Sequence, residues 1–263
     1  MWRLHHRDVT VSTNIDARGG SHGDVFTADF QTAGRGRLDH KWLSPPGANV
    51  IMSAVLSVRG LSPETVSTLP LVVGLAVARG LSPFVSRGQS LDSKGSVPML
   101  KWPNDVLIGG RKVAGILCEL DGDKVIAGIG INVKLQKFPD EIEKTAISLE
   151  EAMGTVPKDT GTVPKDTGSV PTEKGSVPVV REAVLGEIGR LYEVWAKKGF
   201  GAIWPEIAKI DCLRGQTLAV RQTDDDTAPV VGVSGGVQPD GSLDVGGVKV
   251  YAGEAHVERA FCN

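Results

Sequence analysis

Cysteine is scarce in this 263-residue chain. The three present (Cys118, Cys212 and Cys262) are odd in number and far apart, which argues against a disulfide framework or a CxxC metal site and suits a reducing compartment, the cytosol. No apolar run approaches the roughly 18–20 residues of a bilayer span, and the N-terminal MWRLHHRDVT lacks the apolar core of a signal peptide, so no membrane partner is expected. Charge of one sign is not in excess either. The formal net charge is -2 and the sequence pI about 6.2, which gives no reason to expect non-specific nucleic-acid binding. The motifs GxxxxGK[ST], GxSxG and HExxH are all missing. The five histidines show no metal-ligand spacing, so no metal site is expected, and His5-His6 reads as a surface pair.

What is present is an alternation of strands and helices. From Thr155 the chain runs through a seven-residue repeat, TVPKDTG TVPKDTG SVPTEKG SVP, ending near Pro178. A proline and a glycine in each unit leave it unable to build a helix or a core, so residues 153–178 read as a low-complexity loop insertion. The related SKGSVP (Ser93–Pro98) reads the same way. GDVFTADF and ANVIMSAVLSV are strand-like. A buried helix is expected from Ser62, its N-cap, to Leu81, with Pro70 either kinking it or marking its true start. Gly109-Gly110 and Asp121–Lys124 are turn signals that make Asn104–Val133 a three-strand antiparallel meander. In that register Lys112 and Asn132 fall at one end of neighbouring strands. Helices are predicted at Asp140–Ala152, Val180–Lys197 and Ala202–Ile210. Beyond Leu213, short strands between Gly- and Asp-rich turns predict a small β-barrel, with a boundary near residue 210. The fold class is therefore α+β, a mixed or antiparallel sheet with helices plus a C-terminal barrel.

Two short stretches concentrate chemistry. GRGRLDHKW (Gly34–Trp42) gathers Arg35, Arg37 and Lys41 among glycines. Arginine's planar fork matches carboxylate and phosphate oxygens, and glycine lets backbone approach an anion. Taken alone, GRGR reads rather as a solvated basic turn; the strand before it, Gln31 at its entrance and Trp42 at its close shift the reading toward an anion grip. In KWPNDV (Lys101–Val106), Pro103 stiffens a turn that delivers Asn104 and Asp105 at the head of a strand; an ordinary β-turn uses the same residues. Lys112, in RKVAGIL, is either a solvated edge residue or the lysine of a lined cavity. GIGINV (Gly128–Val133) lacks the third glycine of a dinucleotide fingerprint and follows a hairpin, which rejects that reading.

Together, STN (Ser12–Asn14), QTAGRGRLDHKW (Gln31–Trp42), KWPNDV, KVAGIL (Lys112–Leu117) and GIGINV resemble the biotin protein ligase family in order and approximate spacing. The resemblance implies a class II aminoacyl-tRNA synthetase-like catalytic domain over residues 1–210 and an SH3-like domain over 211–263. It implies that biotin and ATP, with Mg2+, give biotinyl-5′-AMP, and that biotin then passes to a lysine of a biotin carboxyl carrier domain, as in acetyl-CoA carboxylase. By the same resemblance Ser12, Thr13, Asn14 and Gln31 line the biotin head-group site, and Arg35, Gly36 and Arg37 form the biotin and adenylate loop. Lys112 bridges the biotin carboxylate and the α-phosphate, Asn132 lies near the nucleotide, and Trp42 stiffens or stacks in the closed loop. Asp105 either aligns or deprotonates the acceptor lysine or merely starts a strand.

Leu38-Asp39 stand where many relatives place another basic residue and a glycine. Because STN begins at residue 12, there is no room ahead of it for the winged helix of repressor members, and no nucleic-acid partner is expected. A homodimer is left open. The alternatives are a lipoate or octanoate ligase or transferase, which would need an acyl tunnel and, for a transferase, a nucleophilic cysteine, and a non-catalytic biotin-binding module.

Overall fold

The computed structural model describes residues 1–38, 40–85, 97–154, 175–221 and 228–257. Asp39, most of the heptad repeat, Ser93–Ser96 of SKGSVP and Cys262 lie outside the described residues. Seven strands form the main sheet: β1 (Arg3–Thr10), β2 (Asp24–Gln31), β3 (Asn49–Ser57), β4 (Met99–Lys101), β5 (Asp105–Ile108), β6 (Arg111–Asp121) and β7 (Lys124–Asn132). Their order is β1-β2-β3-β7-β6-β5-β4. Only β1 and β2 pair in parallel; the other neighbours are antiparallel, so the sheet is mixed. The expected meander is β5-β6-β7, turned at Gly109-Gly110 and at Gly122-Asp123, with Ala114 opposite Ile131. Lys112 and Asn132 thus sit at one end of adjacent strands, within a residue of register.

Side chains alternate across this sheet with the period of two that a pleated strand imposes. Met52, Ala54 and Leu56 of β3, Ala114 and Ile116 of β6, and Ala127 and Ile129 of β7 face the main core. Two helices cover that face, α3 (Leu69–Leu81) and α5 (Val177–Lys198). The alternate positions, among them Val55 and Ile126, face the other side, where Ala17 of the short α1 (Thr13–Ala17) packs on them. The functional residues occupy this second face.

The predicted helix at Ser62–Leu81 is two helices. The Ser62 hydroxyl caps α2 (Pro63–Ser67) by accepting from the Thr65 N–H, and Pro70 starts α3, where its missing N–H costs nothing. By length and apolarity alone Pro63–Leu81 would pass for a membrane span, which corrects the expectation that no run comes near one; most of it lies inside the core. The helix predicted at Asp140–Ala152 shrinks to α4 (Leu149–Ala152). The backbone ahead of it pairs with the sheet instead, Lys112 N–H donating to Thr145 O and Ile147 N–H to Lys112 O. The long helix begins earlier than predicted, at Val177, so the last Ser-Val-Pro of the repeat enters it with Pro178 in the first turn. The low-complexity stretch therefore ends before residue 178. The helix predicted at Ala202–Ile210 is a 3₁₀ turn followed by α6 (Trp204–Ile210).

The C-terminal strands are β8 (Thr217–Arg221), β9 (Val230–Val237), β10 (Leu243–Val245), β11 (Val248–Val250) and β12 (Glu254–Val257). They form one antiparallel sheet in the order β11-β10-β9-β8-β12. It adjoins the rest through indole donors: Trp102 Nε1 to Gly241 O (3.2 Å) and Trp204 Nε1 to Val237 O (2.7 Å).

Candidate active site

A cavity of about 300 Å³ opens on the second face of the sheet. Ser12, Thr13 and Asn14, at the start of α1, form its polar floor, and all three are buried. The Ser53 hydroxyl, fully buried in β3, lies 2.7 Å from Thr13 Oγ1 and 2.6 Å from Asn14 Oδ1. Gln31 Oε1 accepts from Thr13 N–H (2.8 Å) and faces Thr13 Oγ1 at 3.1 Å. Asn14 Nδ2 donates to Glu119 Oε2 at 2.6 Å. Gln31, Thr13, Ser53, Asn14 and Glu119 are thus one continuous chain of hydrogen bonds.

Two glycines of GIGINV explain themselves here. A Cβ on Gly128 would lie 2.9 Å from Asn14 Cγ and 3.0 Å from its Nδ2, and closer still to Oδ1. A Cβ on Gly130 would meet the Trp42 indole at 2.6–2.7 Å. The motif keeps the sheet bare so that an amide and an indole can lie flat on it. Trp42 Nε1 is buried without a hydrogen-bond partner.

The basic loop folds back on itself. Arg35 and Lys41 form an antiparallel bridge, and Trp42 N–H donates to Gly34 O at 3.0 Å. Leu38, at the tip, adopts φ 50°, a left-handed conformation uncommon for such a side chain. Arg35, Arg37 and Lys112 each rest on an acceptor. Arg35 Nη2 contacts both oxygens of Glu119 at 3.0 and 2.8 Å. Arg37 Nη1 reaches Asn104 Oδ1 (3.4 Å) and Gly253 O (3.3 Å). Lys112 Nζ is ion-paired with Asp105 Oδ1 at 2.7 Å, without the alignment of a hydrogen bond. Asn104 donates to Ile116 O at 2.8 Å, which ties the KWPNDV turn to β6.

Arg35, Gly36, Arg37, Trp42, Asp105 and Lys112 therefore line the same cavity as Ser12, Thr13, Asn14 and Gln31. Asn132 does not. It is buried, and its Nδ2 donates to Ile147 O at 3.3 Å. Among the described residues no cysteine lines the cavity, and burial pushes the nearby Cys118 thiol, on β6, up to about 12. Among the described residues the metal-like trio is His6, Asp8 and Asp29, all exposed and none lining the cavity. The histidine pair on β1 is thus exposed as expected, yet His6 does meet two carboxylates. Lys112 Nζ lies 6.0 Å from the Trp42 ring centroid, the outer limit of a cation–π contact.

Residues 8–136 match the model of the Biotin/lipoate A/B protein ligase family. The biotin protein ligase of Aquifex aeolicus, solved in complex with biotin and ATP, superposes with a TM-score of 0.76 at 28% identity, covering 98% of this chain and 99% of that one. The resemblance to biotin protein ligases holds. Among curated proteins, the bifunctional ligase/repressor BirA of Bacillus subtilis is 37% identical over 163 residues, 57% of this chain and 47% of that protein. The biotin–[acetyl-CoA-carboxylase] ligase of Mycobacterium tuberculosis is 38% identical over 146 residues, 53% of this chain and 52% of that protein. The chain spans about half the length of these curated relatives. Every cavity residue expected from the sequence falls inside the matched 8–136.

Two participants were missed. Ser53 is the single polar residue between Val50 and Leu56 in an apolar strand, and a lone hydroxyl in such a run signals a buried partner. Glu119 follows Gly115 and Leu117 on the same face of β6, and those two residues line the cavity that Glu119 itself stands beside. That period of two was the available signal.

Proposed function

We propose that this chain is an ATP-dependent biotin protein ligase. The biotin carboxylate attacks the α-phosphorus of ATP, pyrophosphate leaves, and biotinyl-5′-AMP forms. The amine of a lysine on a biotin carboxyl carrier domain, such as that of acetyl-CoA carboxylase, then attacks the biotinyl carbonyl. AMP leaves with the bonding electrons, and the amine gives up a proton. The reaction takes place in the cytoplasm, and magnesium enters with the nucleotide as part of that substrate. Residues 1–210 serve as the class II synthetase-like catalytic domain and 211–263 as an SH3-like barrel, a division supported by the helix-covered mixed sheet and the five short C-terminal strands.

The observation that carries this reading is the convergence of Arg35, Arg37 and Lys112 on one cavity whose floor is polar. The first step brings two anions together, and fixed cations offset both that repulsion and the charge developing on phosphorus. A cation about 4 Å from an oxyanion is worth on the order of 4 kcal/mol at an effective dielectric near 20. Realised only in the transition state, that is roughly a thousandfold in rate. Lys112 is the central cation, and its pairing with Asp105 holds it between the KWPNDV turn and Trp42. Ser12, Thr13, Asn14 and Gln31 offer both donors and acceptors, as a ureido ring requires. The buried Trp42 Nε1 offers one further donor to a bound acceptor.

The test is mass spectrometry of small molecules after incubation with biotin, ATP and magnesium, with lipoate in a parallel tube. Biotinyl-5′-AMP should form in the first tube only. Lys112→Ala should melt as the wild type does and form the adenylate about a thousandfold more slowly. An unchanged rate, or turnover of lipoate in place of biotin, would refute the proposal.

A further inference from the structure

Glu119 is a carboxylate set among the site's own cation and amide, where the expected anion is the substrate. Its side chain is three-quarters buried; Oε2 accepts from Asn14 Nδ2 at 2.6 Å, and both oxygens lie against Arg35 Nη2. Arg18 Nη2 stands 4.0 Å from Oε1. The residue does not line the cavity. It reaches from the strand behind the site to one residue of the polar floor and one of the basic loop.

We infer that Glu119 is a positioning residue that holds Arg35 and Asn14 in their ligand-binding orientations before the ligand arrives. The inference rests on the ligase reading and adds to it. Arg35 is exposed, on a loop, and long; left free, it would have to be immobilised on binding. Both bonds to Glu119 leave from Nη2, so the separate N–H donors of Nε and Nη1 stay available to single oxygens of a substrate carboxylate or phosphate. Asn14 gains differently. With Nδ2 directed to Glu119 at 2.6 Å, and more weakly to Leu117 O at 3.4 Å, and with Oδ1 accepting from Ser53, its amide has one orientation and keeps acceptor capacity on Oδ1 for a ligand. A single carboxylate on β6 therefore aligns the head-group floor with the cation meant for the acid end.

The two arms separate experimentally. Glu119→Gln keeps an acceptor for Asn14 and removes the charge that anchors Arg35; Glu119→Ala removes both. Calorimetric binding would be measured with biotin and with biotinamide, in which a neutral amide replaces the carboxylate. Glu119→Gln should weaken biotin about two- to tenfold, the equivalent of immobilising one rotamer-rich side chain, and leave biotinamide unchanged. Glu119→Ala should weaken both. In turnover, Glu119→Gln should raise KM for biotin by the same factor with kcat retained, because the cost falls on ground-state binding. Glu119→Gln affecting both probes equally, or neither, overturns the inference, and this isosteric variant decides alone should Glu119→Ala not fold. Wild-type protein that binds neither probe overturns the ligase reading and this inference with it. Normal wild-type binding with an indifferent Glu119→Gln overturns only the inference.

Discussion

Adding one methyl group at Gly128 should damage the site more than its size suggests. Gly128 lies in β7, between β3 and β6, hydrogen-bonded on both sides, so its backbone has nowhere to retreat. The new Cβ would fall 2.9 Å from Asn14 Cγ and within overlap of Oδ1. Asn14 must move, yet it is held by the Ser53 hydroxyl and by Glu119, each at 2.6 Å. Losing one neutral hydrogen bond and one to a charged partner costs about 2–4 kcal/mol in sum. In a chain of this size that lowers Tm by roughly 5–15 °C. Gly186→Ala is the control. Gly186 is exposed in α5 with nothing within 4 Å of its added Cβ, so it should gain about 0.5–1 kcal/mol from the lost backbone entropy. The assay is thermal melting of both variants, with calorimetric titration of biotin. Gly128→Ala should melt earlier and bind biotin more weakly, while Gly186→Ala should melt later and bind normally. If Gly128→Ala melts and binds as the wild type does, Asn14 does not lie on Gly128 and the account of the floor is wrong.

Burial, reinforced by the neighbouring Glu119 and Asp211 carboxylates, pushes both Cys118 and Cys212 up to about 12. Iodoacetamide at pH 8 should therefore label neither in the folded chain and both after denaturation, as read by peptide mapping; rapid labelling of folded Cys118 would revive a thiol mechanism. Asp24 is held far below the ordinary carboxylate value of 3.8 by the Ser21 N–H, then His5 and Arg3. Its contribution to stability is present above pH 3.8 and is lost as pH falls further toward the folded-state value. Asp24→Asn should accordingly flatten the loss of Tm between pH 4.5 and 2.5, and an unaltered slope would show that other carboxylates govern acid unfolding.

Long elements with strong periodicity were legible because their burial is one-sided or complete. The β5-β6-β7 meander could be placed to within a residue because Gly-Gly and Asp-Gly-Asp turns fix register. Pro70 was correctly a decision point, and the chain resolves it by starting a new helix. Asp140–Ala152 misled, since its helix-forming residues are drawn into pairing with Lys112 by backbone groups that sequence periodicity does not weigh. β1 left no trace at all. Arg3–Val9 are exposed throughout, and an edge strand with no buried face carries no alternation to read.

Within the site, the residues that face a ligand were legible as types: paired donors and acceptors, glycines, cations. Those that hold them were not, because Ser53 and Glu119 act through side chains 39 to 105 positions away in sequence. The structure changes the physical picture accordingly. Arg35, Arg37 and Lys112 do not wait as bare charges; they rest on Glu119, on Asn104 with the Gly253 carbonyl, and on Asp105. An arginine has five N–H donors and a lysine three, so each can keep its protein partner and still meet an oxyanion. The cost of ordering three long side chains is thereby met in folding rather than in binding, and what remains for the substrate to supply is its own charge.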